Sequence, residues 1–371
     1  MHQNPFRYGI TVDDPFFVNR KEELKDYANW LQSGQSIVVY SPRRYGKTSL
    51  IKKVLKELAA KGHPTIYVDF FKVNSRVRFA ELYYNSLFKS MSSWEKTMRS
   101  VNQIVKSIRP VFSLDEGGQP NISIQTDGQT KALDLTEVFD LPQKLAKDKR
   151  WIVVFDEFQE ISNLNGEGFE KELRASLIHH DKVSYVFMGS QMHMLLNIFT
   201  SKNRAFYQFS KIVELKKIDE QVMCEHLFIS YKETGVDVKD GVIEKIVTET
   251  NNIPHYVQYL ASAAWEEAKA SNSRLDEAVL STAIAKVIVN QEDFFSFQYQ
   301  NLTSHQQQLV KAIEEENKGT FAASFINKFR LGSASSIQRS IERLQTKGLI
   351  EKDGDEWHFT DPFFKLWLKK L

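Results

Sequence analysis

The stretch IVVYSPRRYGKTSLIKKVLKEL, residues 37–58, decides how this chain folds. Ile37 to Tyr40 is a short apolar run with β-branched residues, the pattern of a buried strand. Ser41 to Thr48 then reads SPRRYGKT, which fits the phosphate-loop pattern GxxxxGK[ST] except that Ser41 stands at the first glycine position. Beyond it, Ile51, Val54, Leu55 and Leu58 recur at the spacing of one helical face. Strand, loop and helix follow in the order the motif requires. Loop N–H groups and the positive end of the helix converge on one point and favour an anion there. Gly46 lets the backbone approach it, Lys47 supplies a cation for the β- and γ-phosphates, and the Thr48 hydroxyl suits Mg²⁺. The candidate phosphate-binding set is Ser41, Pro42, Arg43, Arg44, Tyr45, Gly46, Lys47, Thr48 and Ser49, with Lys47 also a candidate for catalysis.

A second stretch, WIVVFDEFQE at 151–160, runs five apolar residues into Asp156-Glu157. Two carboxylates ending a buried strand face either water or a ligand. Beside a phosphate loop, Asp156 is expected to hold Mg²⁺ and Glu157 to polarise the water that attacks the γ-phosphate. A third apolar strand, Val183 to Met188, ends in Gly189-Ser190-Gln191. Ser190 reads two ways, as a contact to the γ-phosphate or attacking water, or as the cap of a helix from His193 to Phe199. Arg204, in the polar loop 200–204, also reads two ways. It is a charge-stabilising arginine, in the same chain or across a subunit boundary of a homo-oligomer, or a solvated loop residue. In open parallel sheets ligands sit at the carboxyl ends of strands, where Ser41, Asp156, Glu157, Ser190 and Gln191 all fall.

The 371 residues suggest two or three domains, and 42% hydrophobic with 26% charged residues suit a water-soluble globular protein. A net charge of +2 excludes a polycation, so contact with nucleic acid has to be argued locally. One cysteine, Cys224, excludes an internal disulfide. No run approaches 18 apolar residues and the first residues lack a signal-peptide pattern, so no membrane is expected and the expected location is cytoplasmic.

Strands alternating with helices predict an α/β core with a largely parallel sheet. Asn19 is expected to cap a helix from Arg20 to Leu31. One helix is expected from about Arg78 to Ile108, a hairpin around 116–120, and one helix from Leu135 to Lys147. The stretch 76–134 reads as an excursion suited to a protein partner. From Asp219 the pattern turns helical: Glu220–Glu233, Gly241–Thr250, Pro254–Ala270, then a linker at 271–273 and a helix from Asp276 towards Phe297. Helices at Ser304–Glu316, Phe321–Phe329 and Ser335–Lys347, with a hairpin around Asp353-Gly354-Asp355, form a winged helix-turn-helix plan. On the last of these helices Ile337, Ile341 and Leu344 make a buried stripe. Arg339, Arg343 and Lys347 lie opposite, as a solvated face or as contacts to duplex DNA. Acidic residues there are nearly as many as basic ones, so the unit's field is weak. The domain reading is 1–218 for the core, 219–300 for a helical lid and 301–371 for the winged helix.

SPRRYGKTSL, WIVVFDEFQE, the Gly189-Ser190 strand end and KGLIEKDGDEWHFTDPFFKLWL together resemble the archaeal-type ATPase family, P-loop ATPases of the STAND class related to AAA+ proteins. FVNRKEEL at 17–24 resembles that family's N-terminal box. The resemblance implies ATP or ADP with Mg²⁺ as cofactors and places the Ser190 strand between the loop strand and the Asp156 strand. It also implies a helical lid, a winged helix, and nucleotide-side roles for Arg20 and Pro254. Asn19, Ser41 and Asn251-Asn252 depart from the glycines of the pattern. The expected function is a slow Mg²⁺-dependent ATPase switch. Its rivals are a DNA-binding regulator for which nucleotide is only a structural or sensory ligand, and a protein-interaction scaffold.

Overall fold

The computed structural model describes residues 3–371 apart from 92–97, 99, 102, 106–108, 115–119, 126–133, 165 and 273. The chain forms two compact units, one of Arg20–Lys216 and one of Met1–Asn19 with Lys217–Leu371.

The first unit is built on strands β1 (Ile37–Tyr40), β2 (Thr65–Asp69), β5 (Trp151–Asp156), β6 (Val183–Gly189) and β7 (Lys211–Glu214), with the hairpin strands β3 (Arg109–Leu114) and β4 (Pro120–Gln125) outside the main sheet. The five pair in parallel in the order β2-β5-β6-β1-β7. This puts the Ser190 strand between the other two, as the resemblance implies. Every residue of β5 and β6 is buried, which is why their sequences are unbroken apolar runs rather than alternating ones. The edge strand β2 alternates buried with half-buried positions, and β7 is exposed or half-buried throughout. Over one face Phe70, Phe79, Phe155, Phe158, Phe187 and Phe206 meet at ring separations of 4.7–6.2 Å. Edge-to-face contacts of this kind fix the carboxyl ends of β5 and β6 against each other.

Helix α1 (Lys21–Ser33) precedes β1, α2 (Lys47–Ala60) follows it, and α3 (Arg76–Lys89) follows β2. The α1 N-cap is Arg20, not Asn19. The helix expected over 78–108 stops at Lys89, and the chain is helical again at 98, 100, 101, 103 and 104. The β3/β4 pairing confirms the hairpin, whose turn at 115–119 lies outside the described residues. Asn85 of α3 acts as its strand partner: its amide donates to Ile122 O (3.1 Å) and accepts from Ile122 N (3.0 Å). The expected 135–147 helix is two pieces, Thr136–Phe139 and Leu141–Leu145. Pro142 has no N–H to continue a helical ladder through that point.

The second unit begins with helices Glu220–Glu233, Val242–Glu249, Pro254–Ala270, Glu277–Val289 and Glu292–Gln300. Short parallel strands β8 (Asp237–Val238) and β9 (Arg274–Leu275) join two of its loops. The single helix expected from 276 to 297 breaks at Asn290-Gln291. The first residues, which the sequence reading groups with the core, pack here: Phe6 lies 4.7 Å from Tyr231 and Tyr8 stacks on Tyr259 at 4.3 Å. Three helices, Ser304–Glu315, Ala323–Phe329 and Ala334–Thr346, are followed by the antiparallel pair β10 (Ile350–Asp353) and β11 (Glu356–Phe359). His305 locks the first to the third, its ring nitrogens 2.9 Å from Ser340 Oγ and Leu331 O. The closing helix Pro362–Leu368 buries Phe363, Phe364, Trp367 and Leu368. Among the described residues no helix is long and apolar enough to cross a membrane.

Candidate nucleotide site

The loop between β1 and α2 turns through two left-handed residues, Arg44 (φ 72°) and Gly46 (φ 87°). Gly46 caps α2 in a conformation that costs a side-chain residue strain, so the pattern's second glycine is required here. Ser41 does not adopt a positive φ, which explains why the first glycine is dispensable. Ser41 is fully buried and its hydroxyl donates to Pro42 O at 3.1 Å. Tyr45 is buried, while Arg43 and Arg44 face solvent.

Lys47, 6% exposed, lies at the start of α2 with Nζ 3.5 Å from Ser41 O. Burial pulls its pKa down, and the carboxylates of Glu157 and Asp156 pull it back up. Thr48 Oγ1 is 3.5 Å from Asp156 Oδ2. That same oxygen accepts the Tyr67 hydroxyl of β2, and Asp156 Oδ1 accepts Glu157 N at 2.9 Å. Burial raises the Asp156 pKa to about 6; the Tyr67 bond and Lys47 oppose the rise and Glu157 adds to it. A buried carboxylate whose pKa stays raised despite these donors is a chemical setting that suits a bound cation. Among the described residues no three His, Cys, Asp or Glu side chains gather as a metal cage. A Mg²⁺ ion suits such a place, because it takes one or two protein oxygens and completes its shell with phosphates and water.

Glu157 follows in a left-handed conformation (φ 48°), which turns its side chain out of the strand direction. Its Oε2 accepts three donors: Gln159 Nε2 at 2.7 Å, Ser190 N at 3.1 Å and Ser190 Oγ at 3.0 Å. Arg43 Nε lies 3.4 Å from Ser190 Oγ. Ser190 therefore does not cap the helix Met192–Thr200, whose N-cap is Gln191 without a side-chain bond. Its hydroxyl is spent on Glu157.

Two expected site residues are engaged elsewhere. Arg204 Nε bonds both oxygens of the buried Glu170, at 3.1 and 3.2 Å, its Nη2 bonds Oε2, and Ala205 N adds a bond at 3.1 Å. Arg204, partly exposed, thus anchors its own loop to Glu170. Arg20, 4% exposed, gives Nη1 to Glu23 (2.8 Å) and Nη2 to Tyr45 O (3.2 Å) and Lys216 O (2.9 Å). Its guanidinium ties the backbone of the phosphate loop to that of Lys216. Pro254 opens its helix in the other unit, after Asn251 and Asn252 in left-handed conformations. There Arg339 and Arg343 are exposed on the helix Ala334–Thr346, which buries Ile337, Ile341 and Leu344. Lys347 is exposed and its Nζ donates to Asn301 O at 3.2 Å. Sequence reasoning missed Tyr67 and Gln159. The polar Gln159 after an apolar Phe158 was the only trace of the second.

A parallel sheet of this strand order, with a phosphate loop leaving a central strand and acidic residues ending another, defines a P-loop NTPase of AAA+ type, here carrying a C-terminal winged helix domain. The chain belongs to the family of ATPase domains predominantly from Archaea, whose model matches residues 17–260. A model described as a probable winged helix domain matches residues 293–370. Solved structures of similar fold include the Walker-type ATPase of Pyrococcus abyssi, with a TM-score of 0.66 and 17% identity over 98% of this chain and 99% of that one. The ORC2 protein of Aeropyrum pernix, solved in ADPNP–ADP complexes, has a TM-score of 0.55 and 14% identity over 98% of each chain. A sequence search of curated proteins found no match.

Proposed function

We propose that this protein is a slow ATPase of the STAND class in which nucleotide state sets the arrangement of the winged helix. The observation that carries the reading is the convergence of Lys47, Thr48, Asp156, Glu157 and Ser190 at the carboxyl ends of three adjacent strands, β1, β6 and β5. The loop N–H groups and Lys47 bind the phosphates, Thr48 and Asp156 hold Mg²⁺, and Glu157 accepts a hydrogen bond from the attacking water. When bound, the cation neutralises charge on the β- and γ-phosphate oxygens. The nucleotides held by the Aeropyrum pernix protein and the family membership support adenine.

Arg20 supports the switch. One nitrogen, Nη2, bonds both Tyr45 O in the phosphate loop and Lys216 O, the last residue of the core unit. Lys217 opens the other unit, where its Nζ donates to Asn251 Oδ1 at 3.1 Å and lies 4.0 Å from Asp353 Oδ2 on the wing. A loop moved by nucleotide thus has a direct mechanical link to the chain leading out of the core.

Calorimetric titration of Mg·ATP into folded, nucleotide-free protein tests the core of this reading. Saturable heat is expected, and its absence rejects nucleotide binding. A second reading, a DNA-binding regulator for which nucleotide is only a ligand, is favoured by the exposed Arg339 and Arg343. Phosphate release measured with and without duplex DNA separates the two: DNA binding without turnover selects the regulator.

A further inference from the structure

Gln159 is fully buried, yet only half of its amide is used. Nε2 donates to Glu157 Oε2, and Oε1 is a buried acceptor without a hydrogen-bond partner. The carboxylate can only accept, so the amide's orientation is settled by its neighbour. A buried polar atom left unpaired costs free energy and calls for a reason other than stability.

Gly189 supplies the other half of the observation. It ends β6 without a positive φ, so its backbone does not demand glycine. A Cβ there would lie 2.0 Å from Gln159 Oε1, closer than atoms can approach, and 3.1 Å from Cδ, so the Gln159 side chain would have to move. Glycine at 189 is therefore explained by the side chain of Gln159, whose one hydrogen-bond partner among the described residues is Glu157.

We propose that Gln159 is a positioning residue for hydrolysis: it fixes the Glu157 carboxylate through Oε2, in space that Gly189 leaves open. The proposal rests on the reading of Glu157 as the group that orients the attacking water. Ser190 holds the same oxygen from the β6 side and Gln159 holds it from two residues further along the chain. Together they stop the carboxylate from rotating about its last torsion.

A structural role and a positioning role predict opposite results for Gln159→Met, which keeps the length but removes both the donor and the unpaired acceptor. Positioning predicts a variant that melts no lower than wild type, binds Mg·ATP with a KM within about twofold, and turns over on the order of 10- to 100-fold more slowly. Gly189→Ala is expected to cause a similar loss of kcat by displacing Gln159. In a Gln159→Ala background the same Gly189→Ala change is expected to cause no further loss, because the space is then empty. Wild-type kcat in Gln159→Met, or an equal Gly189→Ala effect in both backgrounds, overturns the proposal while leaving the ATPase reading intact. A wild type that retains Mg·ATP and releases no phosphate overturns both.

Discussion

Thr48 and Asp156 face each other across 3.5 Å, joining the first turn of α2 to the end of β5 although 108 residues separate them in sequence. The Tyr67 hydroxyl on the neighbouring strand meets the same carboxylate oxygen. Two hydroxyls and one buried carboxylate thus define a hard-oxygen corner beside Lys47, which is the chemistry a magnesium nucleotide requires.

Lys47→Ala is expected to weaken Mg·ATP binding by about 10- to 100-fold, the worth of a charge-assisted hydrogen bond removed from a buried site. Lys47 also helps hold down the pKa of Asp156, so its removal strips the corner of its nearest cation. Titration calorimetry on wild type and variant checks this, and unchanged affinity removes Lys47 from the phosphate site.

Glu157→Gln is expected to bind Mg·ATP with near-normal affinity and to slow hydrolysis by about 10²- to 10⁴-fold, so that ATP is retained. The amide still offers an oxygen to Ser190 and Gln159, so the local structure should persist. Single-turnover phosphate release measures the step directly, and a normal rate would show that this carboxylate has no part in it.

Much of this arrangement was legible in the sequence, for physical reasons. β1, β5 and β6 are buried on both faces, so their apolar runs announce themselves, and the phosphate loop is local chemistry in eight consecutive residues. Contacts made across the fold left no local trace. Arg204 finds Glu170, 34 residues away, and Ser190 finds Glu157, 33 away. The sequence offered a charge-stabilising or a solvated arginine for the first, and a phosphate or water contact or a helix cap for the second. Helix breaks were equally hard to see: Pro142 announces one, but nothing in Asn290-Gln291 marks the other. Arg20 has the spacing of a family motif, yet its role depends on carbonyls at Tyr45 and Lys216 that no pattern displays.

If the winged helix reads duplex DNA, Arg339 and Arg343 bind its phosphates. Replacing both with alanine should then lower the slope of log affinity against log salt by about 2, one unit for each phosphate that no longer meets an arginine. Both side chains are exposed, so the fold should be unaffected. Fluorescence anisotropy of labelled duplex across a salt series decides the matter, and an unchanged slope assigns these arginines to solvent.

The wing carries a testable pH dependence. Burial raises the Glu351 carboxyl to about 7, with Asp353 adding to the rise and Lys217 opposing it. Between its ordinary value of 4.5 and about 7 the folded chain keeps a proton that the unfolded chain releases. Through that window this group's contribution therefore falls as pH rises. His358, opposite Glu351 in the β10/β11 register, works against it. Burial lowers its pKa, so below 6.5 the unfolded chain takes a proton the folded chain declines, and stability rises with pH there. The two slopes oppose each other in the wild type, and a comparison with a variant separates them. Glu351→Gln keeps the shape and removes the carboxylate. It is expected to stabilise the full chain by about 1 kcal/mol at pH 8, with the gain vanishing below the ordinary value of 4.5, at about pH 3.5, where the wild-type carboxyl is protonated in the folded and the unfolded chain alike. Urea midpoints at the two pH values measure the difference, and a gain that is the same at both would mean that Glu351 does not titrate in this range.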